Sequence, residues 1–306
     1  MKQDNRNKKG FGRPQKHKLQ NVSFQVSQAD ELMNFLLANM PQKNRNNIKT
    51  LLRDKQVIVD GKIVTQYNHP LIAGQKIEIG NKETLLSKSL KGISIVYEDD
   101  QIVVIDKHAG LLSVAAPNKE TPTAYNMLSY HVKQEDPANK IFIVHRLDRD
   151  TSGLLVYAKN QDVQKTLQEN WSSLLIERTY LAIVEGHVEK QEDEIRSYLY
   201  ESKALKVHTT KDKTQGKLAI TRYQKIKSKN NYSLLKVNLE TGRKNQIRVH
   251  MGEIGHPIAG DKKYGAVSNP IGRLALHASV LSFIHPVTNE KLQFKTAVPR
   301  KFDRLF

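Results

Sequence analysis

The densest cluster of polar side chains in the sequence separates two apolar runs that are typical of buried strands. Residues 145–153 read HRLDRDTSG and lie between Ile141–Val144 and Leu154–Ala158. Charged side chains beside buried strands lie at a sheet end or line a cleft, because a charge without a partner in the core is very unfavourable. A simple connection needs only Gly or Asn, whereas this one carries two Arg, two Asp and a His. The pattern indicates a site for chemistry, with a salt-bridged structural turn as the alternative.

The carboxylates of this segment belong to Asp148 and Asp150. Because they lie two positions apart, an extended backbone places both on one face. Two carboxylates on one face can share general acid and general base catalysis. The spacing therefore predicts carboxylate chemistry and leaves open whether one Asp or both take part.

A second polar concentration occupies residues 241–250 (TGRKNQIRVH). Its spacing predicts a helix over Arg243–Glu253 that turns Arg248 away from the face shared by three other residues. That face carries Arg243, Ile247 and His250. His256 is a second potential metal ligand nearby, but no third ligand lies at a metal-like spacing. We therefore predict no metal site and assign His250 to packing and hydrogen bonding.

The elements that must position these side chains begin with a small α/β unit predicted over residues 21–80. Apolar residues recur there first at helical spacing and then around an Asp-Gly hairpin turn. Its predicted elements are a strand at Phe24 and Val26, helices over Glu31–Met40 and Asn46–Asp54, a hairpin over Val57–Val64 and a strand over Leu71–Ile79. The polar residues 81–92 that follow are typical of a linker.

Residues 93–306 combine short strand patterns with a few helical ones and lack a strict βαβ order. Two further helices are predicted there, over Thr123–Val132 and Gln161–Leu174. Neighbouring strands joined by short turns predict an α+β domain with a mixed, largely antiparallel sheet. The predicted strands are Ile93–Tyr97, Gln101–Ile105, Ile141–Val144, Leu154–Ala158, Tyr180–Val184, Leu218–Lys225, Leu234–Glu240 and Ala275–Phe283.

The chain is strongly cationic, which indicates a polyanionic partner. Its 306 residues include 49 Lys and Arg against 31 Asp and Glu, a formal net charge of +18. Residues 1–90 carry half of this excess, and residues 1–20 read as a basic disordered arm. RNA is the abundant cytoplasmic polyanion, so the charge favours RNA binding over the alternative that it only maintains solubility.

Composition excludes several other classes of protein. The sequence has no Cys, which excludes disulfides, thiolate nucleophiles and zinc ribbons and fits a reducing cytoplasm. No unbroken apolar run exceeds five residues, whereas a membrane span needs about 20. The basic start of the chain has no apolar stretch after it, so we expect neither a secretory signal nor a membrane partner.

The HRLDxxTSG pattern formed by residues 145–153 resembles the signature of the RluA-type pseudouridine synthases. Further segments resemble other motifs of that family in the same order, so the likeness spans about residues 93–299. These segments are residues 96–107, 177–186, 216–223 and 241–265. Two positions depart from the family pattern: His108 stands where Pro is usual, which predicts a less rigid loop, and Asn245 stands where His is usual. Residues 22–79 resemble an S4 RNA-binding domain.

The resemblance implies a pseudouridine synthase domain over residues 93–306, preceded by an S4-like RNA-binding domain. It implies conversion of uridine to pseudouridine without a cofactor or metal. By this resemblance Asp148 is the essential carboxylate and Arg248 is its cationic partner. Tyr180 lies against the base, Ile247 supports the uracil, and Arg146 fills the gap that a flipped nucleotide leaves.

The expected partner is RNA, and the S4-like domain with its basic arm favours a large structured ribosomal RNA over transfer RNA. We expect a monomer without an obligate protein partner. Two other classes of protein stay open, namely a non-catalytic RNA-binding protein of ribosome assembly and an N-glycosidase that releases the base. Loss of Asp148 or Arg248 would mark the first of these, and both residues are present.

Overall fold

The computed structural model describes residues 22–54, 56–80, 90–115 and 122–306. The chain divides into two compact units, with the division between Lys88 and Ser89. The basic arm predicted over residues 1–20 and most of the linker predicted over residues 81–92 lie outside the described residues. Within the described ranges, no helix is long and apolar enough to cross a membrane.

The first unit is a small antiparallel sheet packed against two helices. Its elements are β1 (Val22–Gln25), β2 (Asp30–Glu31), α1 (Leu32–Asn39), α2 (Arg45–Arg53), β3 (Val57–Val59), β4 (Lys62–Ile63), β5 (Pro70–Leu71) and β6 (Lys76–Ile79). The main sheet has the order β1-β6-β3-β4, and β2 pairs with β5. The single strand predicted over Leu71–Ile79 is wrong, because Gly74 (φ +92°) lies between β5 and β6 in a conformation that few other residues adopt.

Helix α2 separates an apolar face from a basic one. A capping box starts it, since the Asn44 side chain accepts a hydrogen bond from the Asn47 amide at 2.9 Å and the reverse bond is 3.1 Å long. Three residues pack into the core of the unit, namely Ile48, Leu51 and Leu52. The opposite face exposes Arg45, Lys49 and Arg53.

The second unit is built on one eleven-stranded sheet. Its first half comprises β7 (Ile93–Glu98), β8 (Ile102–Lys107), α3 (Ala124–Val132), β9 (Phe142–Ile143), β10 (Ser152–Ala158), α4 (Gln161–Glu169), α5 (Trp171–Leu174) and β11 (Leu175–Glu185). Its second half comprises β12 (Glu192–Glu201), β13 (Val207–Thr210), β14 (Lys217–Lys229), β15 (Tyr232–Leu239), α6 (Gln246–Glu253), a 3-10 helix (Lys262–Tyr264), β16 (Leu276–Ile284), β17 (Lys291–Lys295) and α7 (Arg300–Asp303).

The strands of this sheet follow the order β13-β12-β14-β15-β11-β16-β10-β8-β7, with β9 added to β10 and β17 to β16. Among the described strands β10 and β16 pair in parallel, and the other pairings of the sheet are antiparallel. All seven residues of β10 are buried, because α3 packs on one face of the sheet and α4 on the other. The predicted α+β class with a mixed, largely antiparallel sheet is confirmed.

Two predicted helices differ from the observed ones. The helix predicted over Gln161–Leu174 is interrupted at Asn170, which ends α4 and precedes α5. The helix predicted over Arg243–Glu253 begins three residues later as α6. Asn245, just before it, has a left-handed conformation (φ 55°) that a right-handed helix cannot continue through. Arg243 therefore lies outside the helix.

Candidate active site

Asp148 lies in a turn that its neighbours hold in place. The turn joins β9 to β10, and the Thr151 amide donates to the Asp148 carbonyl at 3.2 Å. The buried Ser113 hydroxyl donates to the Leu147 carbonyl at 2.8 Å and accepts from the Leu147 amide at 3.1 Å. These contacts fix the main chain on both sides of Asp148.

Lys107 is completely buried and connects this turn to the loop that follows β8. Its ammonium donates to the carbonyl oxygens of His108, Leu111 and Arg149 at 3.0, 2.8 and 3.1 Å. Burial lowers the pKa of Lys107 to about 8, and the nearby charges of Asp150 and Asp148 oppose that shift. The loop that carries His108 in place of the usual Pro is thus anchored by the preceding side chain.

Gly153 allows β10 to start directly beside β16. Its φ is +113°, and a Cβ atom there would lie 2.1 Å from the Ala278 carbonyl oxygen. The parallel pairing joins Ser152 to His277 and Gly153 to Ala278. The close approach sets the Asp148 turn next to the beginning of β16.

Arg248 of α6 joins two carboxylates. Its Nη1 lies 3.3 Å from Asp148 Oδ2, while Nε and Nη2 donate to the two oxygens of Asp261 at 2.7 and 2.8 Å. Burial lowers the pKa of Arg248, but the hydrogen bonds and charge of Asp261, together with Asp148, raise it overall. The guanidinium is therefore a permanent positive charge beside Asp148.

Two further side chains hold Arg248 in this position. The Asn245 side-chain oxygen accepts from Nη1 at 3.2 Å, and the guanidinium lies 5.1 Å from the centre of the Tyr264 ring. Asn245 also donates to the Tyr264 hydroxyl at 2.9 Å. The residue that replaces the usual His of the family thus takes part in orienting Arg248.

Tyr180 of β11 is buried beside Asp148. Burial raises the pKa of its hydroxyl, and the Asp148 charge adds to the rise while Arg178 opposes it. The tyrosine is therefore neutral at ordinary pH, so its hydroxyl can donate a hydrogen bond.

One open cleft of about 370 Å³ is lined by all five residues that the sequence marked as site residues. These are Arg146, Asp148, Tyr180, Ile247 and Arg248. Ile247 and Leu276 contribute buried apolar side chains, and Arg146 is exposed at the cleft. The prediction that Arg248 turns away from Ile247 is wrong, because α6 is placed so that both residues line the cleft.

The other polar residues of these segments have different roles. Asp150 pairs with Arg149 at 3.2 Å, both side chains are largely exposed, and Asp150 is outside the cleft lining. The structure therefore does not support a carboxylate pair. His250 is buried between the hydroxyls of Ser197 (2.9 Å) and Thr221 (2.8 Å), which confirms its predicted role in packing and hydrogen bonding.

No set of three His, Asp or Glu side chains that could hold a metal ion occurs within the described ranges. Asp261 lies in the segment 241–265 that resembles a family motif, but the sequence predicts no role for it. An Asp is rarely as buried as this one (2% exposed) unless it is paired, but the sequence does not name the partner.

The sequence of the second unit matches a family model described as RNA pseudouridylate synthase over residues 101–253. Ribosomal large subunit pseudouridine synthase D of Pasteurella multocida is 32% identical over 305 residues, which cover 93% of each chain. An uncharacterised RNA pseudouridine synthase of Bacillus subtilis is 32% identical over 292 residues, covering 93% of this chain and 95% of that protein. The chain belongs to the RNA pseudouridylate synthase family.

Solved structures agree with the fold of this synthase. Human RNA pseudouridylate synthase domain containing 4 superposes with a TM-score of 0.59 at 24% identity, over 72% of this chain and 95% of that one. Human RNA pseudouridylate synthase domain containing 1 gives a TM-score of 0.54 at 24% identity, over 69% and 85%. The expected family, the expected fold and an RNA-directed isomerase activity are therefore confirmed for the synthase.

Proposed function

We propose that Asp148 is the catalytic carboxylate of this synthase and that its substrate is a structured ribosomal RNA. The isomerisation breaks the C1′–N1 bond of uridine, turns the uracil within the site and joins C1′ to C5. One proton leaves C5 and one is added at N1, so the reaction balances without an oxidant, a reductant or an external cofactor.

The observation that carries the proposal is the pairing of Asp148 with the partly buried Arg248 inside the cleft. Among the described lining residues Asp148 supplies the carboxylate, 3.3 Å from Arg248. An ionised carboxylate can attack C1′ or stabilise positive charge that develops on the ribose, and it can accept a proton from carbon. Arg248 places a positive charge beside this carboxylate, and Asp261 keeps the guanidinium in place.

The remaining cleft residues suit a flipped uracil. Tyr180 can lie against the base, and its hydroxyl can donate a hydrogen bond to an oxygen of the uracil or assist removal of the proton from C5. Ile247 supplies apolar contact to the face of the ring. Arg146, at the cleft, can stack in the gap that the extruded nucleotide leaves in the RNA.

Ribosomal RNA is the substrate class that the first unit and the relatives favour. The first unit resembles an S4 domain, and the exposed Arg45, Lys49 and Arg53 of α2 form a basic face suited to RNA phosphates. The relative from Pasteurella multocida is named for the ribosomal large subunit. We further propose that the synthase acts in the cytoplasm as a monomer, with transfer RNA as the alternative substrate.

The test of Asp148 compares two substitutions in the same turn. Asp148→Asn should lower tritium release from RNA that contains 5-tritiated uridine by at least about 100-fold, with RNA affinity within a few-fold of wild type. Asp150→Asn, whose carboxylate pairs with exposed Arg149, is the matched control and should retain activity. If the Asp148→Asn enzyme kept more than about a tenth of the wild-type rate, another group would have to do the chemistry.

The substrate is tested by mapping pseudouridines in total RNA with and without the gene. Loss of a position in ribosomal RNA supports the proposal, whereas loss only in transfer RNA contradicts it. Chromatography of the reacted RNA separates pseudouridine from free uracil, and free uracil would indicate the N-glycosidase alternative. No lost position at all would favour the non-catalytic alternative.

A further inference from the structure

A second cleft adjoins the proposed catalytic cleft within the second unit. We call it the lateral cleft, and it is lined by residues from 144–145, 168–172, 175–178 and 238–243, together with Arg222. It shares Leu239 and Arg243 with the catalytic cleft. Like the catalytic cleft, the lateral cleft is open to solvent, and it has a volume of about 1570 Å³ against about 370 Å³, so it is the roomier of the two.

Three buried nitrogen atoms of the lateral cleft have no hydrogen-bond partner in the part of the chain that the structure describes. They are His145 Nδ1, Trp171 Nε1 and Arg178 Nε. A buried polar group without a partner costs free energy, so a site with several of them suits a ligand that satisfies them.

All three nitrogen atoms are donors. The indole and guanidinium nitrogens can only donate. His145 Nε2 accepts a hydrogen bond from the Val156 amide at 3.3 Å, so in the neutral ring the proton is on Nδ1. The ring is neutral because burial, with a further effect of Arg178, lowers the pKa of His145 to about 3. A ligand that satisfies these three nitrogens must therefore present hydrogen-bond acceptors.

The charge of Arg178 makes an anion the fitting acceptor. Its Nη2 donates to the Thr241 carbonyl at 3.1 Å, and no carboxylate pairs with this guanidinium among the described residues. The neighbouring Glu177 instead accepts from the Thr179 hydroxyl at 2.7 Å, and Glu240 pairs with Arg222 at 2.7 Å.

Gly242 provides the space for this guanidinium. A Cβ atom at Gly242 would lie 2.9 Å from Arg178 Nη2 and 3.1 Å from Nη1. The planar fork of an arginine in such a place matches the oxygens of a phosphate.

The lateral cleft lies about one nucleotide from the proposed uracil site. Arg178 and Tyr180 are two residues apart on β11, which spans about 7 Å and directs both side chains to one face of the strand. Burial raises the pKa of Tyr180 and Arg178 opposes this rise, so the positive charge acts at the tyrosine hydroxyl. His145 directly precedes Arg146 of the catalytic cleft.

We propose that the lateral cleft binds a phosphodiester of the RNA strand next to the target uridine. Arg178 supplies the charge, and His145 and Trp171 donate further hydrogen bonds to the phosphate oxygens. This inference rests on the proposed function, in which the target uridine lies against Asp148 and Tyr180.

The test neutralises the phosphate and the arginine separately and together. The RNA is a synthetic stem-loop with the mapped target uridine, in which one flanking phosphodiester at a time is replaced by an uncharged methylphosphonate. One of the two replacements should lower the wild-type kcat/KM about tenfold, as expected for loss of one charged hydrogen-bonding contact. Arg178→Gln should cause a similar loss on unmodified RNA and no further loss on the methylphosphonate RNA.

Matched variants separate binding from structural damage. Arg178→Lys keeps the charge and should restore part of the loss, mainly through KM. Trp171→Phe keeps an aromatic ring but removes Nε1–H, and it should weaken binding of the RNA several-fold. Arg196→Gln removes an exposed arginine outside both clefts. Methylphosphonate RNA should lower the kcat/KM of this variant by the same factor as that of the wild type. The proposal would be overturned if methylphosphonate replacement at each flanking position lowered kcat/KM by the same factor in Arg178→Gln and in Arg196→Gln.

The only Trp of the chain gives a second readout without turnover. Unmodified RNA should change the fluorescence of Trp171, and the critical methylphosphonate RNA should change it less at equal occupancy. Inorganic phosphate at millimolar concentration should compete only weakly. An equal response to phosphate and to both RNAs would overturn the proposal in favour of a site for free anions. Wild-type turnover of unmodified RNA is measured first, so a failure of the proposed function itself is recognised separately.

Discussion

The paired contacts between Arg248 and Asp261 predict that Asp261→Asn damages the synthase more than an ordinary surface change. Asp261 is almost fully buried and accepts two charge-assisted hydrogen bonds, at 2.7 and 2.8 Å. Each such bond contributes about 1.5–3 kcal/mol, and Asn retains one neutral acceptor. We expect the free energy of unfolding of the second unit to fall by about 2–4 kcal/mol, near the cost of breaking a buried ion pair.

The same substitution should also lower activity, because Arg248 loses the carboxylate that orients it toward Asp148. Misplacement of a catalytic partner by a fraction of an ångström is expected to lower kcat/KM on the order of tenfold or more. Unfolding in urea is followed by Trp171 fluorescence, which reports the second unit because the only Trp of the chain lies there. Tritium release measures the activity of the same preparations.

Asp193→Asn is the control, because its pair with Lys190 at 2.7 Å lies at the surface and should contribute little to the free energy of unfolding. The reasoning fails if Asp261→Asn unfolds within about 0.5 kcal/mol of wild type and keeps its kcat/KM. It also fails if Asp193→Asn produces an equal loss of stability.

Three further predictions follow from buried and exposed charges. Lys107→Met leaves three carbonyl oxygens without their donor and should lower the free energy of unfolding in urea by about 2–4 kcal/mol; a change below about 0.5 kcal/mol contradicts this. Burial lowers the pKa of His250 to about 4, so the unfolded chain, with a pKa near 6.5, takes up the proton first as the pH falls. The contribution of His250 to the free energy of unfolding is therefore complete above about pH 6.5 and declines toward pH 4. His250→Gln should reduce the slope of this free energy against pH by about 1.4 kcal/mol per pH unit between pH 6 and 4.5. An unaltered slope would exclude this titration. The double variant Arg45→Gln, Lys49→Gln should reduce the slope of log affinity against log salt by about 1.5 and spare turnover at saturating RNA; an unchanged salt slope would show that α2 does not bind phosphates.

The centre of the large sheet was predictable because buried strands carry continuous apolar runs. The strand predicted over Leu154–Ala158 forms most of β10, and that over Tyr180–Val184 lies inside β11. Three strands of this sheet were not predicted, namely β12, β13 and β17. β12 lies near one edge of the sheet, and its charged and polar residues do not alternate regularly with apolar ones. The sequence therefore lacks the period of two on which strand prediction depends.

The candidate site was predictable to the extent that local motifs carry it. The polar turn pointed to Asp148 and Asp150 without deciding between them. The choice of Asp148, together with Arg248 and Tyr180, came from the family resemblance. Helical spacing alone misplaced Arg248, because it does not show that the cleft extends over the side chains of both Ile247 and Arg248. Asp261 lies 13 residues beyond Arg248, and only the folded chain brings the two side chains together.

The order β11-β16-β10 affects how the enzyme acquires activity during its synthesis. β16 is one of the last strands in the chain, yet it separates the strand with Tyr180 from the strand that follows Asp148. A nascent chain that ends before Leu276 lacks the strand that joins these two parts. Because N-terminal regions fold first and contacts between distant residues form late, the first unit is complete well before the cleft. A chain still attached to the ribosome is therefore expected to carry its basic helix α2 before it carries a working active site.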